Sequence, residues 1–215
     1  MSDLKSKIRN LREDFNIHTI DFNNLPSHPV YLFQKWMELA IEEEKEAIAF
    51  VLSTVSEEGI PASRVLLLRE FDEGGFTFFT NYRSAKSVDI EINNTVALNF
   101  FWPNSQRQIR IIGDAVKISP NDSDKYFSSR PRESQIGAWI SDQSKVIDLH
   151  FDFIHEMQKI ANKFENKVVD RPNYWGGYKV NPLNIEFWQG QPSRLHQRVK
   201  YSILENEWKI ERLAP

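Results

Sequence analysis

Cysteine is absent, glycine is scarce at eight of 215 residues, and methionine occurs three times. Without cysteine the chain can form no disulfide, thiolate nucleophile, iron–sulfur cluster or cysteine-ligated zinc site, and its composition fits a reducing compartment. No window approaches the roughly 18 consecutive apolar residues of a membrane span, and the opening MSDLKSKIRNLREDF lacks the apolar stretch of a secretory signal. The expectation is a soluble, cytoplasmic protein. Charge of one sign is also lacking, because 27 Lys and Arg against 30 Asp and Glu leave a net −3. A chain so balanced has no general pull toward nucleic acid or anionic membrane, so any anion site must be local. Sequence patterns of the GxGxxG, P-loop, HExxH and GxSxG kinds are missing as well. His150 and His155 are five apart on an expected helix, a poor spacing for a shared metal, and they read as surface or packing residues with no metal expected.

What is present is a change of hydrophobic period along the chain. In residues 3 to 15, Leu4, Ile8, Leu11 and Phe15 recur at helical spacing, which predicts a short amphipathic helix. Pro29 suits the first turn of a second helix whose apolar face is Phe33, Trp36, Met37, Ala40 and Ile41. From Ala47 the runs AIAFVLSTV, ASRVLLLRE and GFTFFTN are short, β-branched and aromatic, and are separated by turn signals. They predict three strands, followed by a helix over Ser84 to Asn94. TVALNFFW and RQIRIIGDAVKI then predict two longer strands split by Pro103, Asn104 and Ser105. Ser119 and Pro120 open a helix that Pro131 stops, and a longer one is expected around Asp148 to Glu165. NIEFWQG, SRLHQRVKYSIL and WKIERL return to strands. The expected architecture is a single α+β, mainly β domain over 1–215, a small β-barrel with helices packed outside. Its parts are a helical segment at 1–46, barrel strands at 47–118, a helical part at 119–166 and closing strands at 174–215.

Three groups of residues could carry chemistry. On a strand, Arg194, His196, Arg198 and Lys200 would share one face, an arrangement that suits an electron-rich or anionic ligand and equally a solvated face with acidic neighbours. Tyr126, Ser128, Ser129, Arg130, Arg132 and Ser134 surround Pro131. Tyr126 and Arg130 can converge from one helix face while Ser134 stands where the chain restarts, near a helix N-terminus, which suits a phosphate monoester or a capped helix junction with surface arginines. Arg64, Thr80, Ser84 and Lys86 fall at strand ends and a helix start, again suited to an anion. Arg64 and Arg69 differ by an odd number, so a regular strand would turn them to opposite faces.

The segments IEFWQ at 185–189 and RLHQR at 194–198 resemble the C-terminal signature of the pyridoxamine 5′-phosphate oxidase family. LPSHPVYLFQKW, SRVLLLR, FFTNYRSAKS, RQIRIIG, YFSSRPRESQIGAWIS, NYWGGYKV and WKIERLAP extend the resemblance over nearly the whole chain. It implies an FMN-binding split β-barrel with peripheral helices, working as a homodimer with FMN at the subunit interface. It further implies that Arg64, Val65, Leu66, Leu67, Arg69, Phe79, Thr80, Lys86, Gln108, Gln143, Ser144, Trp188 and Arg198 contact the cofactor. Arg12, Arg69, Tyr126, Arg130, Ser134, Arg194 and His196 would bind substrate, with Arg194 and His196 at the reacting ring. The implied reaction oxidises pyridoxamine or pyridoxine 5′-phosphate to pyridoxal 5′-phosphate with O2 as acceptor, releasing H2O2, and NH3 from the amine. A split-barrel flavin oxidoreductase of another substrate, or a non-catalytic protein binding pyridoxal phosphate or FMN, is the competing expectation. Departures from the family pattern are Arg69 for Lys, Ala85 for Arg, Phe79 for Tyr, Gln197 for Asp, Asn or Glu, and Phe15 for Tyr. Ala85 predicts weaker FMN retention, with Arg83 as a substitute donor.

Overall fold

The computed structural model describes residues 2–11, 14–140 and 142–215. The chain forms two compact units: the first is Met1–Ala47, Asn99–Arg110 and Asn184–Pro215, and the second is Ile48–Leu98 and Ile111–Leu183.

In the first unit α1 spans Ser2–Asn10 and α2 spans Pro29–Glu43. The amphipathic pattern expected over residues 3 to 15 therefore stops early. Leu4, Ile8 and Leu11 are exposed, so little packing supports a longer helix, and Phe15 instead sits edge-on to Trp188 and His196. The second helix starts where Pro29 placed it. His28 is its N-cap, with Nδ1 accepting from the Val30 N–H, and Phe33, Trp36, Met37 and Ala40 are buried. Ile41 departs from the expected face and is 63% exposed, because eight residues beyond Phe33 the helix has turned about 80° past it.

Five strands contribute to this unit: β5 (Thr95–Trp102) and β6 (Arg107–Lys117) in part, the end of β7 (Trp175–Gln189), β8 (Gln197–Leu204) and β9 (Glu207–Leu213). β7 pairs antiparallel with β8, and β8 with β9, placing Trp188 opposite Arg198 and Lys200 opposite Glu211. Phe33 meets Phe100, and Trp36 meets Phe187, which in turn meets Tyr201, each edge-on with centroids 5.3 to 5.8 Å apart. Burying a side chain of this size stabilises by about 1.5–3 kcal/mol, so these rings anchor α2 on its strands.

The second unit holds β1 (Ala49–Val55), β2 (Pro61–Leu67), β3 (Glu70–Asp72), β4 (Gly75–Asn81) and the remainder of β5, β6 and β7, in the order β2-β1-β5-β6-β7-β4-β3. Phe50, Leu52, Phe76, Phe78, Leu98, Ile111 and Val180 are among its buried strand residues. The short β3 was not expected; it forms because Asp72 Oδ1 accepts from the Gly74 and Gly75 N–H groups and closes a hairpin. Gly75 has φ 146, and a Cβ there would strike the Val180 carbonyl, so only glycine fits.

Helices α3 (Ala85–Ile92), α4 (Pro120–Ser129), α5 (Arg132–Ile140) and α6 (Phe153–Lys163) complete the second unit. Ser119 caps α4 by accepting from the Asp122 N–H, as its sequence foretold. The helix expected from Asp148 begins only at Phe153, because Asp152 is the residue whose carboxylate caps it. α5 begins immediately after Pro131 and puts Ser134 in its first turn, near a helix N-terminus as expected. His150 lies in an exposed turn and His155 on exposed α6.

The largest departure concerns the basic row at 194–200. Pro192 to Arg194 form a 3-10 turn in which Ser193 and Arg194 have φ 56 and 61, and β8 starts only at Gln197. Arg194 and His196 are therefore on a turn, and only Arg198 and Lys200 alternate on a strand. Proline donates no ladder hydrogen bond, and two left-handed residues in succession end any extended run.

Candidate functional site

In the second unit the end of β4 and the start of α3 present a buried ammonium. Asn81 begins the turn: its Oδ1 accepts from the Arg83 N–H, and its carbonyl accepts from the Ser84 and Ser87 hydroxyls. This leaves Ser84 as N-cap without a side-chain cap and puts Lys86 in the first turn of α3. Lys86 is 5% exposed, and its Nζ donates to Thr80 Oγ1 at 2.8 Å, Ser84 Oγ at 2.8 Å and Gln143 Oε1 at 3.0 Å. All three partners are neutral, and among the described residues it has no carboxylate. Burial, reinforced by the nearby Arg64 charge, brings its pKa down to about 8. A cation at the positive end of a helix dipole, desolvated and beside a second cation, is locally unfavourable, the kind of conflict that marks an anion site.

Arg64 lies on β2, and its Nη1 donates to Thr54 Oγ1 at 2.7 Å. Thr54 passes the interaction on to Asp89 Oδ2 at 2.6 Å. Burial lowers the Arg64 pKa, and the Asp89 charge partly opposes that. Arg69 stands in the break between β2 and β3, its N–H donating to the Thr77 carbonyl. A strand end thus resolves the odd spacing between Arg64 and Arg69, and Arg69 is near enough to Arg130 for its charge to lower the Arg130 pKa, after the larger effect of burial.

Arg130 is the C-cap of α4, where Pro131 ends the helix. Its guanidinium lies 4.5 Å from the centroid of Trp175 and 5.6 Å from that of Phe127. Its side chain makes no hydrogen bond or ion pair among the described residues, and Nη1 is buried without a partner. Tyr126 stacks on Phe79 at 3.8 Å. A cavity of about 330 Å³ is lined by Leu66, Phe79, Thr80, Asn81, Arg130, Ser134, Gly137, Ala138, Gln143 and Trp175. It gathers six of the expected site residues, with Lys86 bonded to two of its walls and Tyr126 stacked on a third. Val65 is 65% exposed and does not line it. Neither does Ser144, which lines a separate cavity of about 510 Å³ with Arg83, Lys145 and Tyr174. Arg83 lies over the Tyr174 ring at 4.5 Å, and Ala85 is exposed at the first position of α3.

Leu67 ends β2 in the second unit and does not line that cavity, and the first unit holds the other expected residues. His196 Nδ1 accepts from the Gln191 N–H at 3.1 Å, which requires an unprotonated Nδ1. Burial, and then the Arg194 charge, hold its pKa below the usual histidine value. Its ring is 4.6 Å from Trp188, and Phe15 contacts both. Gly190 has Phe15 so close that a Cβ would lie 2.8 Å from it. Arg194 is exposed. Arg198 is committed elsewhere: its Nε donates to Glu186 Oε1 at 2.8 Å and its Nη1 to the Ala214 carbonyl at 2.9 Å. Glu186 also pairs with Arg110, and although burial alone would raise its pKa, the two arginines bring it below the usual carboxylate value. Gln108 donates to Asn99 Oδ1. Gln197 accepts from the Ile20 N–H at 2.6 Å, giving that unusual residue a structural task. Arg12 lies outside the described residues.

Sequence reasoning missed Trp175, Asn81, Gly137 and Ala138. Only the aromatic density of NYWGGY hinted at the first.

A family model described as pyridoxamine 5′-phosphate oxidase matches residues 37–156, and one described as the pyridoxine 5′-phosphate oxidase C-terminal dimerisation region matches 175–215. The pyridoxine/pyridoxamine 5′-phosphate oxidase of Cytophaga hutchinsonii is 44% identical, covering 99% of this chain and 100% of that protein. The Haemophilus influenzae protein of the same name is 45% identical over 97% of this chain and all of its own length. Among solved structures, PhzG from Burkholderia lata 383 in complex with tetrahydrophenazine-1-carboxylic acid superposes with a TM-score of 0.88 at 25% identity, covering 94% of this chain and 100% of that one. A pyridoxamine 5′-phosphate oxidase-related, FMN-binding protein from Nostoc punctiforme gives 0.69 at 18% identity, covering 85% and 97%. The expected split-barrel fold is thereby shown. No helix among the described residues is long and apolar enough to cross a membrane.

Proposed function

Because the chain belongs to the pyridoxamine 5′-phosphate oxidase family, we propose that it is a cytoplasmic, homodimeric, FMN-dependent oxidase of pyridoxamine and pyridoxine 5′-phosphates. The C4′ amine or alcohol becomes the aldehyde of pyridoxal 5′-phosphate, and O2 is reduced to H2O2. From the amine, water supplies the aldehyde oxygen and the nitrogen leaves as NH3. The observation that carries this reading is the pairing of two desolvated cations, Lys86 and Arg130, neither with a carboxylate partner, around one cavity.

The residues fit a flavin monophosphate. Lys86 with Thr80, Ser84 and Gln143 offers a cation and neutral polar groups to a phosphate, with Arg64 adding charge nearby. FMN, when bound, supplies the redox chemistry by taking up the two electrons that the substrate loses. Ser144, Arg69, Phe79 and the backbone of Val65 to Leu67 are further proposed cofactor contacts, as are Gln108, Trp188 and Arg198. In Arg198 the nitrogen left for this task is Nη2.

Tyr126, Arg130 and Ser134, with Arg69, take the substrate phosphate. Arg194 and His196 take the pyridine ring, and Arg12 joins the substrate contacts. His196 does this as a neutral imidazole whose proton is on Nε2, since Nδ1 is already an acceptor. None of these groups needs to act as a nucleophile. Their task would be to orient the C4′ carbon of the substrate at the site where FMN would be held, and fixed placement of this kind accounts for a large part of a catalysed rate.

The test is the visible spectrum of the purified protein. Anaerobic pyridoxamine 5′-phosphate should bleach the flavin band, and readmitted O2 should restore it with one peroxide per aldehyde. A flavin that binds the ester without bleaching would favour a carrier. Bleaching by nicotinamide cofactors alone would favour a different split-barrel oxidoreductase.

A further inference from the structure

We propose that Trp175 is a positioning residue for substrate phosphate, an indole that sets Arg130 directly and, together with the Phe79 ring on which Tyr126 stacks at 3.8 Å, sets Tyr126; this rests on the phosphate-binding role proposed above for that pair. Trp175 opens β7 opposite Asn81, and its N–H donates to the Pro172 carbonyl. Its own carbonyl accepts from Arg171 Nη1, and its ring packs edge-on against buried Phe127 at 5.2 Å. It is 7% exposed, so the ring has little freedom.

From this fixed platform two arrangements follow. The rings of Phe79 and Tyr126 lie nearly parallel to the indole, at 13° and 4°, with centroids 5.5 and 6.2 Å away. The Arg130 guanidinium rests over the same indole at 4.5 Å.

Neither the Tyr126 hydroxyl nor the Arg130 guanidinium makes a hydrogen bond among the described residues. Their positions therefore come from aromatic faces, and their polar groups stay uncommitted. Hydrogen bonds donated to a carboxylate would fix Arg130 equally well but would neutralise it and compete with an incoming anion. An aromatic face holds a guanidinium without using its N–H donors. Phe127 alone is the weaker support, at 5.6 Å. Loss of the indole should therefore cost affinity for a phosphate ester and leave an unphosphorylated ring untouched.

The experiment uses the FMN-loaded protein. Calorimetric titration with pyridoxal 5′-phosphate and with pyridoxal is run beside steady-state oxidation of pyridoxamine 5′-phosphate and pyridoxamine. A desolvated cation–π contact corresponds to about tenfold in affinity, so Trp175→Leu should bind the phosphate ester about tenfold more weakly and raise its KM alike. Its kcat and its binding of pyridoxal should stay within about twofold of wild type. Trp175→Phe keeps a weaker face and should lose only about threefold. If Trp175→Leu does not fold, Trp175→Phe decides by the same comparison of ester against alcohol. Equal weakening of pyridoxal and its phosphate, or unchanged preference for the ester, overturns the assignment. A wild-type protein with no preference for the ester would instead sink the phosphate reading itself, and the role of Trp175 with it.

Discussion

Raising the pH above 8 should weaken FMN binding through one identifiable proton. Lys86 is almost fully buried, and that burial, followed by the nearby Arg64 charge, brings its pKa down to about 8. A flavin phosphate has its second pKa near 6, so it carries two negative charges throughout the alkaline range. Binding then requires charged Lys86. Below pH 8 the dissociation constant should be level; above it the constant should rise about tenfold per unit, reaching about tenfold at pH 9 and about thirtyfold at pH 9.5. Lys86→Met should remove this slope. At neutral pH it should weaken binding by about ten- to a hundredfold, the range of a charge-assisted hydrogen bond. The sign reverses for the apoprotein. A lysine whose folded pKa lies below its unfolded value of 10.5 binds fewer protons when folded, so stability rises between pH 8 and 10.5 by about 1.4 kcal/mol per unit. Quenching of flavin fluorescence on titration gives the affinities, and denaturant unfolding gives the stabilities. Wild-type and Lys86→Met affinities that decline in parallel with pH would refute the reasoning, since the slope would then belong to another group.

Arg194→Ala should lower turnover while leaving flavin content near wild type, whereas Arg64→Ala should chiefly lose flavin; absorbance of the purified proteins against kcat tests the division, and matched losses would contradict it. His196 should titrate below 6.5, so its contribution to stability is present above 6.5 and fades as pH falls toward the folded value; its NMR titration should shift upward in Arg194→Ala, which removes the neighbouring charge. Ala85→Arg should tighten FMN binding, because position 85 is exposed at the first turn of α3 beside Lys86, and an equilibrium titration showing no gain would dispose of that idea.

Local rules were legible in the chain wherever one or two residues decide the backbone. Pro29 after His28 starts α2, Ser119 with Pro120 starts α4, and the 103–105 turn separates β5 from β6. Helix spacing does not account for Tyr126 and Arg130 lying together, because α4 ends at Ser129 and Arg130 is its C-cap with an extended backbone. What failed were inferences that extended a period past its support. The alternation in RLHQRVK suggests a strand face, yet Pro192 and the left-handed Ser193 and Arg194 exclude the first residues from it. Phe15 matches a helical period, yet packing against Trp188 takes it off the helix. Trp175 was unreadable for a different reason. Its partners Phe79, Tyr126 and Arg130 are 96, 49 and 45 positions away, and no local pattern encodes a stack assembled by sheet pairing and a helix end.

Cations in this chain divide by what faces them. Arg198 and Arg110 share Glu186, Arg171 meets Asp124, Lys117 meets Glu91, and Lys179 meets Asp72. Such pairs tie strands and loops together and leave little charge for a ligand. Arg107 is as buried as Lys86, but Nε donates to Gln189, the guanidinium lies over Trp36, and Glu43 favours its charged form. Lys86 and Arg130 lack such compensation: the first has only neutral acceptors and the second only aromatic faces and the Tyr126 phenol. With a net charge of −3, carboxylates to neutralise them were available in the composition and were placed elsewhere. Desolvating a charge without a partner costs several kcal/mol, and the cost falls when an anion enters. The fold therefore keeps two cations without carboxylate partners beside one cavity, which is where the proposed phosphate groups would meet them.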